Sequence, residues 1–185
     1  GLNIVSSVSS PTQIPGTTWD SVHSDGYGGV AVKTNGTLWT WGSNNFGQLG
    51  QNNTTNRSSP VQVPGTTWSS AAGSLGAAFY AIYAIKTDGT LWGMGRGSIG
   101  GLGQNNETNY SSPIQIPGTW SKVRGGYYGW AAAIKTDGTL WTLGQNNHGQ
   151  LGQNQPGSTD VSSPIQIPGA WSDVGAGFHA AAAIK

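Results

Sequence analysis

The chain has no cysteine and very little charge. Without cysteine there is no disulfide framework and no thiolate metal site. Charged residues make up only 8% of the sequence, 8 basic against 7 acidic, and neither sign forms a run. Phosphate backbones are bound by clustered Lys and Arg, so nucleic acid is excluded as a partner, and an electrostatic membrane anchor with it. No apolar run approaches the roughly 20 residues of a spanning helix, so membrane insertion is not expected. The longest small-apolar stretch is Ala180 to Ile184. Helical periodicity is missing too. Disorder is excluded from the other side, because the chain carries 9 Trp, 6 Tyr and 3 Phe.

What the sequence does contain is a repeat. The string Ser-Ser-Pro-x-Gln-(Ile/Val)-Pro-Gly starts at Ser9, Ser58, Ser111 and Ser162, at spacings of 49, 53 and 51 residues. A tryptophan follows each copy: Trp19, Trp68, Trp120 and Trp171. A second block, Lys-Thr-(Asn/Asp)-Gly-Thr-Leu-Trp, runs from Lys33, Lys86 and Lys135. A third closes each copy: Gly47 to Asn52, Gly101 to Asn105 and Gly149 to Asn154. The repeats are approximately 9–57, 58–110, 111–161 and 162–185, the last incomplete, within a single segment 1–185. The pattern breaks off at Lys185 inside a copy, so the chain is expected to be a piece of something longer.

Each block reads as β structure. Asn-Gly or Asp-Gly between short apolar runs signals a hairpin, on the expectation that both turn residues tolerate positive φ. A small-apolar strand precedes the turn and Thr-Leu-Trp follows it. Pro-Gly punctuates the entry to a Trp-x-x-Val strand, and the prolines suit a sheet edge that lacks a donor. This makes about four short strands per repeat. Such a sheet cannot bury both faces alone, and stacking identical sheets around an axis does bury them. The fold class is therefore all-β, a β-propeller of four-stranded antiparallel blades of about fifty residues. The small-residue strand is expected nearest the axis and the tryptophans in the wider gaps. Each buried Trp contributes roughly 4–6 kcal/mol gross, enough to account for its recurrence as structure.

The string Asp-Gly-Thr-Leu-Trp-x-x-Gly-x-Asn-x-x-Gly-Gln-Leu-Gly resembles the repeat of the regulator of chromosome condensation family. Leu38 to Gly50 and Leu140 to Gly152 match best. The resemblance implies a ring of seven blades, of which this chain holds about three and a half. It is closest in character to bacterial and phage members. Members of the family include nuclear exchange factors for a small GTPase, a secreted β-lactamase inhibitor and a plant photoreceptor, so fold alone does not name a function. Closing the ring calls for further blades, from the same longer chain or a second copy. Residues 2–6 could supply a strand to the last blade.

No catalytic residue, cofactor site or metal site is expected. His23, His148 and His179 stand apart in sequence and form no His-x-x-x-His pair, which reads as surface or structural histidine. Asp88 and Asp137 share their position with Asn35, which points to turn chemistry rather than acid–base work. The Asn-x-Ser/Thr triplets arise from composition. What varies between copies is the segment before the small-residue strand. It carries Tyr27, Phe79, Tyr80, Tyr127, Tyr128, Trp130, Phe178 and His179. Aromatic residues in a polar, uncharged frame suit a protein partner or a glycan. The leading expectation is a non-enzymatic binding or structural module on a virion or cell surface, extracellular, serving assembly or recognition. The alternative is a secreted inhibitor or regulator that covers an enzyme or GTPase.

Overall fold

The computed structural model describes residue 2 and residues 9–24, 27–154 and 159–185. The strands form three four-stranded antiparallel sheets and one two-stranded sheet. The first holds β1 (Trp19–Ser24), β2 (Gly28–Lys33), β3 (Leu38–Gly42) and β4 (Arg57–Gln62), in that order. The second holds β5 (Leu75–Ala78), β6 (Ala81–Ile85), β7 (Leu91–Gly95) and β8 (Tyr110–Ile116). The third holds β9 (Trp120–Gly126), β10 (Trp130–Lys135), β11 (Leu140–Gly144) and β12 (Val161–Ile167). The last pairs β13 (Asp173–Ala176) with β14 (Ala181–Ile184). These are propeller blades, as the repeat predicts. The expected strand from residues 2–6 lies, Leu2 apart, outside the described residues.

The sheets are phased differently from the sequence blocks. Each Ser-Ser-Pro segment forms the outermost strand of the sheet before it, paired to the Leu-Trp strand through a bulge. Pro60, Pro113 and Pro164 thus sit at the outer edge, where a missing donor costs nothing. The innermost strands are β1, β5, β9 and β13, which contact one another from sheet to sheet. The small-residue strands β2, β6, β10 and β14 come second, not first. The reason is visible in the glycines of the inner strands. A Cβ on Gly125 would stand 2.5 Å from the Ala77 carbonyl, and one on Gly76 would stand 3.0 Å from the Gly125 nitrogen. Backbones converge there more closely than any side chain permits.

The core lies between sheets. Leu38, Leu49, Val63 and Trp68 meet Ile82 and Met94 between the first and second. Tyr83, Leu91, Leu102 and Ile116 meet Trp120 and Leu143 between the second and third. Trp130, Ile134 and Leu140 meet Val174 and Trp171 beyond the third. The face of the first sheet turned away from this stack is open. Ile14, Trp19, Val22, Ala31 and Trp41 line an apolar hollow there of about 150 Å³.

The turn after the second strand is not the one the dipeptide suggests. Only the glycines adopt positive φ, Gly36 at 74°, Gly89 at 81° and Gly138 at 81°. The residue before them is there for its side chain. Asp88 Oδ1 accepts from Thr90 N at 2.9 Å and Thr90 Oγ1 at 2.7 Å, and Trp92 Nε1 donates to the same threonine oxygen at 2.9 Å. Asn35, Thr37 and Trp39 repeat this relay, as do Asp137, Thr139 and Trp141. The lysine that opens each block lies over that tryptophan, at 4.3, 4.5 and 3.8 Å from a ring centroid. Every letter of Lys-Thr-Asx-Gly-Thr-Leu-Trp except the first Thr therefore has a structural task, Leu38, Leu91 and Leu140 being core residues.

Two outcomes follow from this packing. Gly125→Ala should destabilise by about 1–3 kcal/mol through overpacking, whereas Gly149→Ala, whose Cβ meets nothing within 4 Å, should cost about 1 kcal/mol for its positive φ alone. Urea unfolding measures both. The Thr90 and Thr139 hydrogen bonds hold the Asp88 and Asp137 carboxyls below the ordinary 3.8. A depressed carboxylate contributes stability above its unfolded pKa and loses it as pH falls through the folded value. Asn35 already fills this place in the first sheet, so Asp88→Asn with Asp137→Asn should match the wild type at neutral pH. The double variant should lose less stability on acidification, in unfolding curves run from neutral to acid pH.

Candidate functional site

The hairpins that join each innermost strand to the second strand all emerge at one end of the axis. They are the variable segments of the repeat, and their rings converge. Phe79, only 6% exposed, is the hub. Its centroid lies 4.0 Å from Tyr27, 4.3 Å from Tyr80 and 4.4 Å from Tyr127. Tyr127 stacks on Phe178 at 3.9 Å and meets Tyr128 edge-on at 4.4 Å. Phe178 meets His179 at 4.3 Å. Residues about fifty apart in sequence thus form one continuous aromatic surface across four blades. The outward members are Tyr27, Phe178 and Tyr128, at 56%, 49% and 36% exposure.

Local backbone presents these rings. Tyr127–Gly129 form a short 3-10 turn in which Tyr128 has a φ of 58°. A bulky residue in the left-handed region costs on the order of 1–3 kcal/mol and is held there by its surroundings. Tyr127 N donates to Gly177 O at 3.3 Å, tying this turn to the next hairpin. Trp130 does not belong to the surface. It is fully buried, and its Nε1 donates to Phe178 O at 3.4 Å. Of the eight residues singled out in the sequence, this one therefore supports the site from beneath. Behind the rings an axial cavity of about 300 Å³ is lined by His23, Ala77, Gly125 and Ala176 among others.

Three residues that the sequence did not mark extend the surface. Phe46 packs on Tyr80 at 4.7 Å, and the Arg96 guanidinium lies 5.4 Å from Phe46 and 5.5 Å from Tyr80. At the other margin His148 meets His179 at 3.9 Å. Phe46 and His148 share one position of the loop after the third strand, so the pair of contacts was signalled by that variable position. The reading of these histidines as standing apart is corrected: the fold brings two of the three together.

Electrostatics at the site follow from crowding. Burial by its neighbours, then the proximity of Tyr128, Tyr27 and Tyr80, raises the Tyr127 hydroxyl above the ordinary tyrosine value. Burial among rings, then His148, lowers His179. Carboxylates elsewhere are engaged in structure. Asp160 Oδ1 accepts from Asn146 N at 3.0 Å, the bond that Asn56 and Asn109 accept in the other blades at 2.7 and 2.9 Å. Among the described residues no group of three or more His, Cys, Asp or Glu could hold a metal ion. The arrangement offers contact area and ring faces, not a nucleophile with its base.

Trp130→Ala should cost about 3–5 kcal/mol, as a buried aromatic truncation. Phe178→Ser and Tyr128→Ser should each stay within about 1 kcal/mol of the wild type, as surface changes do. Denaturant midpoints distinguish the supporting residue from the exposed ones.

Comparison with known proteins bears on this geometry. The family model of the regulator of chromosome condensation (RCC1) repeat matches residues 35–74 and 137–184. Each match runs from an Asx-Gly turn, across the outermost strand, towards the next blade. No curated protein matches the chain in sequence. Among solved structures, Prp20p from Saccharomyces cerevisiae, described with its binding properties to Gsp1p and histones, superposes with a TM-score of 0.74. Identity is 19%, over 85% of this chain and 41% of that one. Yeast RCC1 (Prp20), in a structure with Kap60 bound to it, gives a TM-score of 0.75 at 17% identity, over 89% of this chain and 42% of the other. The chain thus spans about two fifths of the length of these propellers, and at such identity the likeness is one of fold.

Proposed function

We propose that this chain, built of repeats of the regulator of chromosome condensation type, is a non-enzymatic protein-binding module that meets its partner with the aromatic end of the propeller axis. The observation that carries this is the convergence of Tyr27, Tyr128 and Phe178, all outward-facing, on buried Phe79. Aromatic residues are enriched at interface centres, and covering a half-exposed ring gains roughly 1–3 kcal/mol. The rings cross mostly edge to face, which leaves an uneven relief suited to interdigitating side chains.

A regulatory role is the second reading. It is favoured by the solved relative, whose described partners Gsp1p and histones are proteins. An exposed setting, on a virion or cell surface, is supported by composition alone: uncharged, cysteine-free and rich in Asn, Gln, Thr and Gly. The open face of the first sheet we read as the seat of a further blade. Val22 is 67% exposed there, while its counterparts Val123 and Val174 are buried.

The test uses the whole chain as bait, followed by calorimetry with the purified partner so identified. Tyr27→Ser, Tyr128→Ser and Phe178→Ser together should weaken that binary complex at least ~10-fold with an unchanged thermal midpoint. Glu107→Gln, on the outer rim, should leave it intact. Full affinity in the triple variant, with loss on changing the rim, would place the interface elsewhere.

A further inference from the structure

The contact between the loop after the third strand of one blade and the inner hairpin of the next recurs along the stack. Between the first and second blades it is Phe46 on Tyr80, at 4.7 Å. Between the second and third, Ile99 fills the same place, and a Cβ on Gly129 would stand 3.0 Å from its Cδ1. Between the third and fourth, the contact is His148 on His179, at 3.9 Å with the ring planes inclined by 53°. Where the neighbouring interfaces use apolar or aromatic side chains, both members of this pair are imidazoles. His148 is exposed. The Nδ1 atom of His179 is shielded from solvent and has no hydrogen-bond partner.

We propose that His148 and His179 form a two-imidazole site for a divalent transition-metal ion such as Zn²⁺ or Ni²⁺, joining the third blade to the fourth. Imidazole is the commonest protein ligand for these ions, at about 2.0–2.1 Å for zinc. Two ring nitrogens that share one ion lie about 3–3.5 Å apart, the spacing that touching rings provide. A ring nitrogen shielded from water and without a donor or acceptor is a group that the protein itself leaves unsatisfied. The crowding that lowers His179 keeps it in the unprotonated, ligating form at neutral pH. No third His, Cys, Asp or Glu joins the pair among the described residues, so water completes the coordination. The site does not depend on the aromatic surface having a protein partner.

The experiment titrates Zn²⁺ and Ni²⁺ into tag-free protein by calorimetry and follows the thermal midpoint. The wild type should bind one ion per chain and gain thermal stability. Binding should weaken as pH falls through the imidazole range, because protons compete for the ligands. His148→Phe with His179→Tyr installs the pair that the first interface already accommodates. This variant should fold and lose at least ~10-fold in affinity, together with the thermal gain. His148→Ala, on an exposed loop, should do the same should the double variant fail to fold. Absence of wild-type binding at about millimolar metal, or unchanged binding in these variants, would overturn the proposal.

Discussion

A four-stranded sheet of short strands has two apolar faces, and water is a poor neighbour for both. In this chain each face is covered by the face of the next sheet, and the inner strands approach until only glycine fits between Gly76, Ala77 and Gly125. That convergence sets the stack. It puts the inner strands at the axis, tilts the outer strands apart and opens wedge-shaped gaps. Leu49, Leu102 and Leu151, carried on the loop after each third strand, fill those gaps.

The strand connections divide labour between the two ends of the stack. One end holds the Asx-Gly turns, the Pro-Gly entries and the lysines over their tryptophans. Those groups satisfy one another, and their sequence hardly changes from copy to copy. The other end holds the inner hairpins and the loops carrying Phe46, Ile99 and His148. Here the backbone is held by what lies beneath, as Trp130 holds Phe178. The side chains on top are free to differ. A binding surface placed at this end is changed without touching the relays that define the blade.

The blades were legible in the sequence because their instructions are local. Asp88, Thr90 and Trp92 lie within five residues of one another and contact directly. Which strand lies innermost was not legible. Alanine-rich strands and a glycine-bearing strand both suit crowding, and only the contact between Gly76 and Gly125 decides. Asn35 and its aspartate counterparts were assigned to the right turn for the wrong reason, since side-chain acceptance and left-handed φ favour the same residue types. The aromatic residues were found because variation against a constant frame is conspicuous. The meeting of His148 with His179 was missed because a repeat period shows which positions correspond, not which touch. Trp130 was grouped with its neighbours in sequence, although strand alternation turns it inward.

The outermost strand of every sheet comes from the opening segment of the following repeat. Consecutive copies are therefore spliced, each holding a piece of its neighbour. A gene that gains or loses one period by slippage rejoins equivalent segments wherever the breakpoints fall, and the ladder of pairing survives. An insertion of any other length breaks a sheet. Blade number in such a chain can consequently drift in whole steps over evolutionary time, while the architecture of a single blade stays under tight purifying pressure.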